Sequence, residues 1–373
     1  MLNKVSSSKM ISMPRVAPEG TELPPVEDWV KTFKFSEKRK RKTLCNVETA
    51  KKLAELFVPE GSKDKIIVEA YAGPGLLSRA LLELPRERIK KLILIEEEPH
   101  FREWLEPLQN VDDRVHIVPE DAFWWTTYSK MEEDGTLDGV EPHDWSEVHP
   151  NLHFISQIPN NVHGEQLISQ LCRAIPDRKW FFKFGRIPLD LITTTTMHTR
   201  LSAPTGHKQR TKVGVVTQAV ADLQTLVPLK DLEPASQHFF YPSKRNSSSG
   251  QLRHSKIAEM PQQHVRVVPR IDGAIKPDSL DAWDYVVRQL MITKATPLSK
   301  CISALGPGAP SLLKKLTDPS LPSEKQVDVK KPPRDLSTEE WRTLIDVFEE
   351  WPFRPEQLSI DKAFITAGKH GAR

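Results

Sequence analysis

Apolar and polar positions follow two different periods along this chain. In the first 270 or so residues, short apolar runs alternate with stretches of helical spacing. Ile66–Val68 is an apolar run that predicts a buried strand, Tyr71–Gly75 a glycine turn, and Leu76–Leu84 a helix. Leu92–Ile95 is a second run and ends on an acid, Glu96. Upstream, Asn46 is placed to cap a helix whose positions Val47, Ala50, Leu53 and Phe57 share one face. Val115–Val118, Leu152–Ile158 and Val265–Val268 predict further strands, and Gln166–Ala174 a helix. Trp180–Phe184 and Leu189–Ile192 read as a strand pair, Val213–Leu226 as helical or mixed, and residues 129–150 as an acidic loop. Beyond Pro277 the period becomes helical. Leu280, Trp283, Val287, Leu290 and Met291 form one stripe, with Asp278 as its expected cap. Ser337-Thr338-Glu339-Glu340 is a capping box ahead of Trp341, Leu344, Ile345 and Phe348. No internal repeat is visible. The pattern predicts an α/β, doubly wound sheet followed by a small helical domain. The expected divisions are 1–35, 36–272 and 273–373, with the Ser-rich, acid-free stretch Ser243–Lys256 as a flexible loop.

Strand, glycine turn, helix, strand and acid form the first half of a nucleotide-binding sheet. Gly73 and Gly75 carry no side chain, so backbone can approach a ligand there. The dinucleotide pattern G-x-G-x-x-G is not met, because Tyr71 and Ser78 stand at its first and third glycines. An acid, Glu69, instead precedes the turn, as in S-adenosylmethionine enzymes. Glu96 is placed to accept hydrogen bonds from both ribose hydroxyls, and Asp121, after the third strand, to face an adenine amino group. A loop or N-cap carboxylate is the plain alternative for Asp121. Gln157-Ile158-Pro159-Asn160 follows the fourth strand, where enzymes that methylate base amines hold an amide and an aromatic ring. Gln157 supplies the amide, but Asn160 offers no ring. Trp124, Trp125 and Phe154 are the aromatics that could stack instead, against the ordinary reading of each as core.

Composition narrows the partners. The 373 residues carry a net charge of only +3, so the chain is no bulk polyanion binder. A nucleic-acid site must come from local clusters. These are Lys38, Arg39 and Lys40 within Ser36–Lys42, then Lys208, Arg210 and Lys212, then Lys244 and Arg245. The tail Lys369–Arg373 is also basic. Cys45, Cys172 and Cys301 are isolated, which gives neither zinc-ligand spacing nor a disulfide framework. No run reaches the roughly 18 apolar residues of a membrane span. Residues 1–18 hold Lys4, Lys9, Arg15, several serines and no acid. That is the composition of a mitochondrial targeting segment, or of a plain disordered terminus.

The segments EAYAGPG, LIEEEPHF, VPEDAF, SQIPN and RLSAPTGHKQRTKVGVVTQA occur in that order between about Phe35 and Pro269. In this order the chain resembles the ribosomal RNA adenine N6-dimethyltransferase superfamily. The E-x-x-x-G-P-G spacing is similar to that of its mitochondrial transcription factor B branch. DRKWFFKFGRIPLDLITTTTMHTRL, LDAWDYVVRQLMITKATPLSKCISALGPG and FEEWPFRPEQL resemble the fungal mitochondrial transcription initiation factors. The resemblance implies an S-adenosylmethionine-dependent methyltransferase-like, Rossmann-like fold. It implies a monomer of the mitochondrial matrix that binds the single-subunit mitochondrial RNA polymerase. Such a factor helps to melt promoter DNA and holds the opened non-template single strand, with RNA as a further ligand class and no membrane partner. Carried over by position, the S-adenosyl-L-methionine seat is Leu44, Glu69, Gly73, Gly75, Glu96 and Asp121, and the catalytic amide position is Gln157. Tyr71 stands for a glycine, Gln157 for the enzymes' asparagine and Asn160 for their aromatic. An initiation factor with a vestigial cofactor seat is therefore the first expectation, and an rRNA adenine N6-dimethyltransferase the alternative.

Overall fold

The structure, a computed structural model, describes residues 20–32, 41–241, 260–322 and 325–358. The targeting-like terminus, Lys38, Arg39, Lys40, Lys244, Arg245, the stretch Ser243–Lys256 and the tail Lys369–Arg373 lie outside these residues.

The parallel strands are buried on both faces, which is why they read as unbroken apolar runs rather than alternating ones. They are β2 (Lys65–Ala70), β3 (Ile89–Ile95), β4 (Val115–Val118), β5 (Leu152–Gln157) and β6 (Leu189–Thr194). Two more, β7 (Ala221–Gln224) and β9 (Gln262–Pro269), complete a seven-stranded sheet in the order β4-β3-β2-β5-β6-β9-β7. Only β9 runs antiparallel to its neighbours β6 and β7. Val68 pairs with Ile93 on one side and Phe154 on the other, so the order reverses at β2. An open sheet binds ligands at such a switch point, outside the carboxyl ends of its strands.

Successive side chains point to opposite faces, and the core divides accordingly. Ile67, Leu92, Leu94 and Ile155 pack under α2 (Val47–Phe57), α3 (Leu76–Glu83) and α4 (Pro99–Val111). Ile66, Val68, Phe154 and Leu189 pack under α6 (Val162–Ala174) and α8 (Lys212–Val220). The carboxyl-terminal helices α10 (Leu280–Leu290) and α13 (Thr338–Glu349) join this second cluster, with Trp283 and Trp341 fully buried. Each such large apolar side chain contributes about 1.5–3 kcal/mol by leaving water.

The caps show how local chemistry sets boundaries. Asn46 accepts from Thr49 N at 2.9 Å and starts α2 as expected. The capping box at α13 is complete: Ser337 Oγ accepts from Glu340 N at 3.1 Å, and Ser337 N donates to Glu340 Oε2 at 2.8 Å. Each cap of this kind adds about 1 kcal/mol. Asp278 does not cap α10. It sits one residue too early, at φ +66°, and Ser279 holds the cap position.

Trp180–Phe184 is a 3-10 turn rather than a strand. Leu189 already pairs with Phe154 of β5 and Val267 of β9, so β6 has no free edge for it. The aromatic run is buried instead through Phe181 and Phe182. Residues 129–150 are not all loop, because α5 (Trp125–Glu133) reaches into them and Leu137 and Val140 are buried. Val213–Leu226 is mixed, as α8 runs straight into β7. A two-residue strand β1 (Thr43–Leu44) pairs antiparallel with β8 (Phe239–Phe240), beside the carboxyl edge of the sheet.

Candidate cofactor cleft and nucleic-acid surface

The glycine turn is shaped by close approach. Gly73 and Gly75 have φ of +62° and +83°. A Cβ on Gly75 would lie 2.4 Å from Leu105 Cδ2, so a side chain there collides with α4. Tyr71 also has a positive φ, +57°, although it is not glycine. That strain is of the order of 1–3 kcal/mol and persists only where the surroundings hold it. Here they do: the Tyr71 hydroxyl donates to Asp121 Oδ1 at 2.9 Å, and burial followed by that carboxylate raises the phenol far above its usual range.

The structure brings Glu69, Gly73, Gly75, Glu96, Asp121, Gln157 and Leu44 together at the switch point. Glu69 is next to last in β2, Glu96 and Asp121 follow β3 and β4, Gln157 ends β5, and Leu44 lies on β1. Glu69 is buried and accepts from Ser78 Oγ at 2.7 Å, while its Oε1 has no partner. Burial pushes its carboxyl up to about 8, so it is largely protonated near neutrality. Glu96 is fully buried and accepts four N–H groups. Arg41 grips both oxygens, at 2.9 and 2.7 Å, Gly73 N donates at 2.8 Å and Glu98 N at 3.0 Å. Asp121 Oδ1 also accepts from Phe123 N at 3.0 Å. The Gln157 side-chain oxygen accepts from Leu44 N at 2.9 Å, so this amide holds β1 to the end of β5. Asn160 brings no ring, and its side-chain O and N have no hydrogen-bond partner among the described residues.

Arg41 and the part Tyr71 plays were not legible as site residues. The signals were present: Arg41 belongs to the basic run Ser36–Lys42, and Tyr71 breaks a glycine pattern. The last two residues of that run, Arg41 and Lys42, turn inward. Lys42 is buried, its Nζ donates to Met260 O at 2.5 Å, and burial lowers it to about 8.

The second basic cluster is dispersed by the fold. Lys208 is exposed. Arg210 is 1% exposed and donates to Arg334 O and Leu336 O, tying the loop before α8 to the start of α13. Lys212 pairs with Asp284 of α10 at 2.6 Å. Of the aromatic candidates, Phe154 is in the core and cannot stack on a base. Trp124 and Trp125 are 55% and 42% exposed. Trp125 meets Trp180 edge-on at 4.1 Å between ring centroids, and Trp180 stacks on Tyr128. These rings, with Arg178, Lys179 and Lys183, line an open cavity of about 250 Å³. Arg178 lies over the Trp145 ring, and Lys183 pairs with Glu132.

A parallel sheet with a glycine turn, acids on three adjacent strand ends and an antiparallel β9 defines a protein of the S-adenosylmethionine-dependent methyltransferase fold. The chain belongs to the ribosomal RNA adenine dimethylase family, whose profile matches residues 33–345. It is similar to Mitochondrial transcription factor 1 of Saccharomyces cerevisiae, 29% identical over 65% of this chain and 69% of that one. The same factor of Saccharomyces paradoxus is 29% identical over 78% of this chain and 82% of that one. Dimethyladenosine transferase 1, mitochondrial, of Vermamoeba vermiformis is 23% identical over 79% and 84%. Among solved structures, a dimethyladenosine transferase from Plasmodium falciparum superposes with a TM-score of 0.51 over 83% of this chain and 98% of that one. At 16% identity this likeness shows the fold alone.

The acids expected of a nucleoside seat are therefore assembled, but Glu96 and Asp121 already hold partners from this chain.

Proposed function

We propose that this chain is a mitochondrial transcription initiation factor. In this reading it works in the matrix as a monomer, binds the single-subunit mitochondrial RNA polymerase, and helps it to recognise and melt promoter DNA. The observation that carries the reading is the Gln157–Leu44 hydrogen bond. The side-chain oxygen that a methyltransferase aims at a target amine is committed here to backbone, and Asn160 supplies no ring. Similarity to factors named for mitochondrial transcription supports the same reading. The opened non-template strand would be held by charge and stacking rather than by base-edge reading. The exposed Trp124 and Trp125, with Lys208 and the cations around the aromatic cavity, are the groups for that work.

Run-off transcription with the cognate polymerase, on duplex and on pre-melted promoter, tests the reading. The chain should be required on the duplex and dispensable on the bubble; no effect on either sinks it. Trp125→Ala should weaken single-strand binding by about 1–3 kcal/mol with folding unchanged, as read by fluorescence anisotropy.

A second reading, an rRNA adenine N6-dimethyltransferase, is favoured by the relatives named dimethyladenosine transferase and by the assembled acids of the cleft. Transfer of labelled methyl groups to a small-subunit rRNA hairpin would establish it.

A further inference from the structure

We infer that Arg41 occupies, from within the chain, the seat of a nucleoside cofactor at Glu96, so that cofactor binding and the native place of residues 41–44 exclude each other. The inference rests on the non-catalytic reading above and deepens it. A carboxylate accepts about four hydrogen bonds. Glu96 has all four from Arg41 Nη1, Arg41 Nη2, Gly73 N and Glu98 N, and is 0% exposed. A ribose diol could bind this carboxylate only by displacing a donor. The two backbone donors belong to the turn and to the start of α4, so Arg41 is the removable one.

The guanidinium is not a stray surface group. Its carbon lies 5.0 Å from the Tyr71 ring centroid and 5.3 Å from that of Phe101, and only 5% of the residue is exposed. Tyr71 in turn holds Asp121, the second acid of the seat. The segment from Arg41 to Leu44, which ends in β1, is fastened on three sides. Lys42 Nζ donates to Met260 O, Thr43 and Leu44 pair with β8, and Leu44 N donates to Gln157. Trp29 and Phe101 pack together beside Arg41, with Phe240 of β8 against Trp29. Cofactor entry would have to lift this segment, which would also free the Gln157 amide. With Arg41 in place, Glu96 keeps the glycine turn folded with no ligand at all.

Isothermal titration of the full chain with S-adenosylhomocysteine tests this, using wild type, Arg41→Ala and Arg41→Gln. Wild type should show no saturable binding. The folded variants should bind saturably, with a Kd at least about tenfold below the weakest the titration can detect, and the ligand should raise the melting temperature of the variants alone. Equal binding by wild type and variants overturns the inference, as does a failure of both folded variants to bind. If neither variant folds, the wild-type titration decides: saturable binding overturns the inference, and its absence supports it. The run-off assay uses wild type only, so a failed initiation-factor reading leaves the ligand result standing.

Discussion

Two of the buried carboxylates, one at the edge of this sheet and one inside it, are neutralised in different ways. Glu96, at the carboxyl edge, is matched by Arg41, which lies just before a two-residue strand and 55 positions earlier in the chain. Asp190, inside β6, is matched by groups of the sheet itself. His153 on β5 donates at 2.6 Å, His264 on β9 at 2.8 Å, and Arg266 on β9 makes two bonds at 2.9 and 2.7 Å. Burial alone would push Asp190 up. The charge and hydrogen bond of His153, with the hydrogen bonds of His264 and Arg266, outweigh it and hold the carboxyl well below its usual range. The Asp190 cluster cannot open without breaking the sheet, whereas the Arg41 contact can open when one short strand lifts. A buried ion pair is therefore a lock or a latch according to which elements carry its halves.

Asp190→Ala is expected to have the largest effect. It leaves Arg266 partly buried without its carboxylate and should cost about 3–5 kcal/mol, read by chemical denaturation. Arg41→Ala should cost less, about 1–3 kcal/mol, because water can reach Glu96 once the guanidinium is gone. Equal losses would show that β1 is as integral to the core as β6.

Acid should weaken the lock in two stages. Burial lowers His153 first of all, despite its Asp190 partner. Below the unfolded histidine value near 6.5 the unfolded chain takes up a proton that the folded chain refuses, so stability falls from there downward. Asp190, depressed in the fold, adds stability above its unfolded value near 3.9 and loses it as pH falls through the folded value. His153→Gln should flatten the upper stage and leave the lower one, as thermal midpoints across pH would show.

Glu69 has the opposite sign and the smallest expected effect. Its folded value is raised to about 8, so its contribution is full below the unfolded value near 4.3 and is lost as pH rises toward 8. Glu69→Gln keeps an acceptor for Ser78 and should add about 1 kcal/mol at pH 8, with no gain at pH 4. A gain at both values would mean that Glu69 is not held as the acid.

The alternation of apolar runs, the glycine turn, the caps at Asn46 and Ser337 and the acids after β2, β3 and β4 were legible because each depends on neighbours a few residues away. A buried strand must be apolar on both faces, a tight turn must lack a Cβ, and a helix start must satisfy its own N–H groups. Trp180–Phe184 misled because strand character says nothing about whether an edge is free. The basic run misled in a similar way. Arg41, Lys42 and Arg210 look like solvated cations in sequence, yet each is 5% exposed or less and bound to groups 55, 218 and 126 positions away. Sequence alone thus determined most strands of the sheet and which acids stand at their carboxyl ends, where a nucleoside seat is expected. Tertiary structure alone decided that the seat's acids are already held by Arg41 and Tyr71, because a charge finds its partner through space, and that distance is set only when the fold closes.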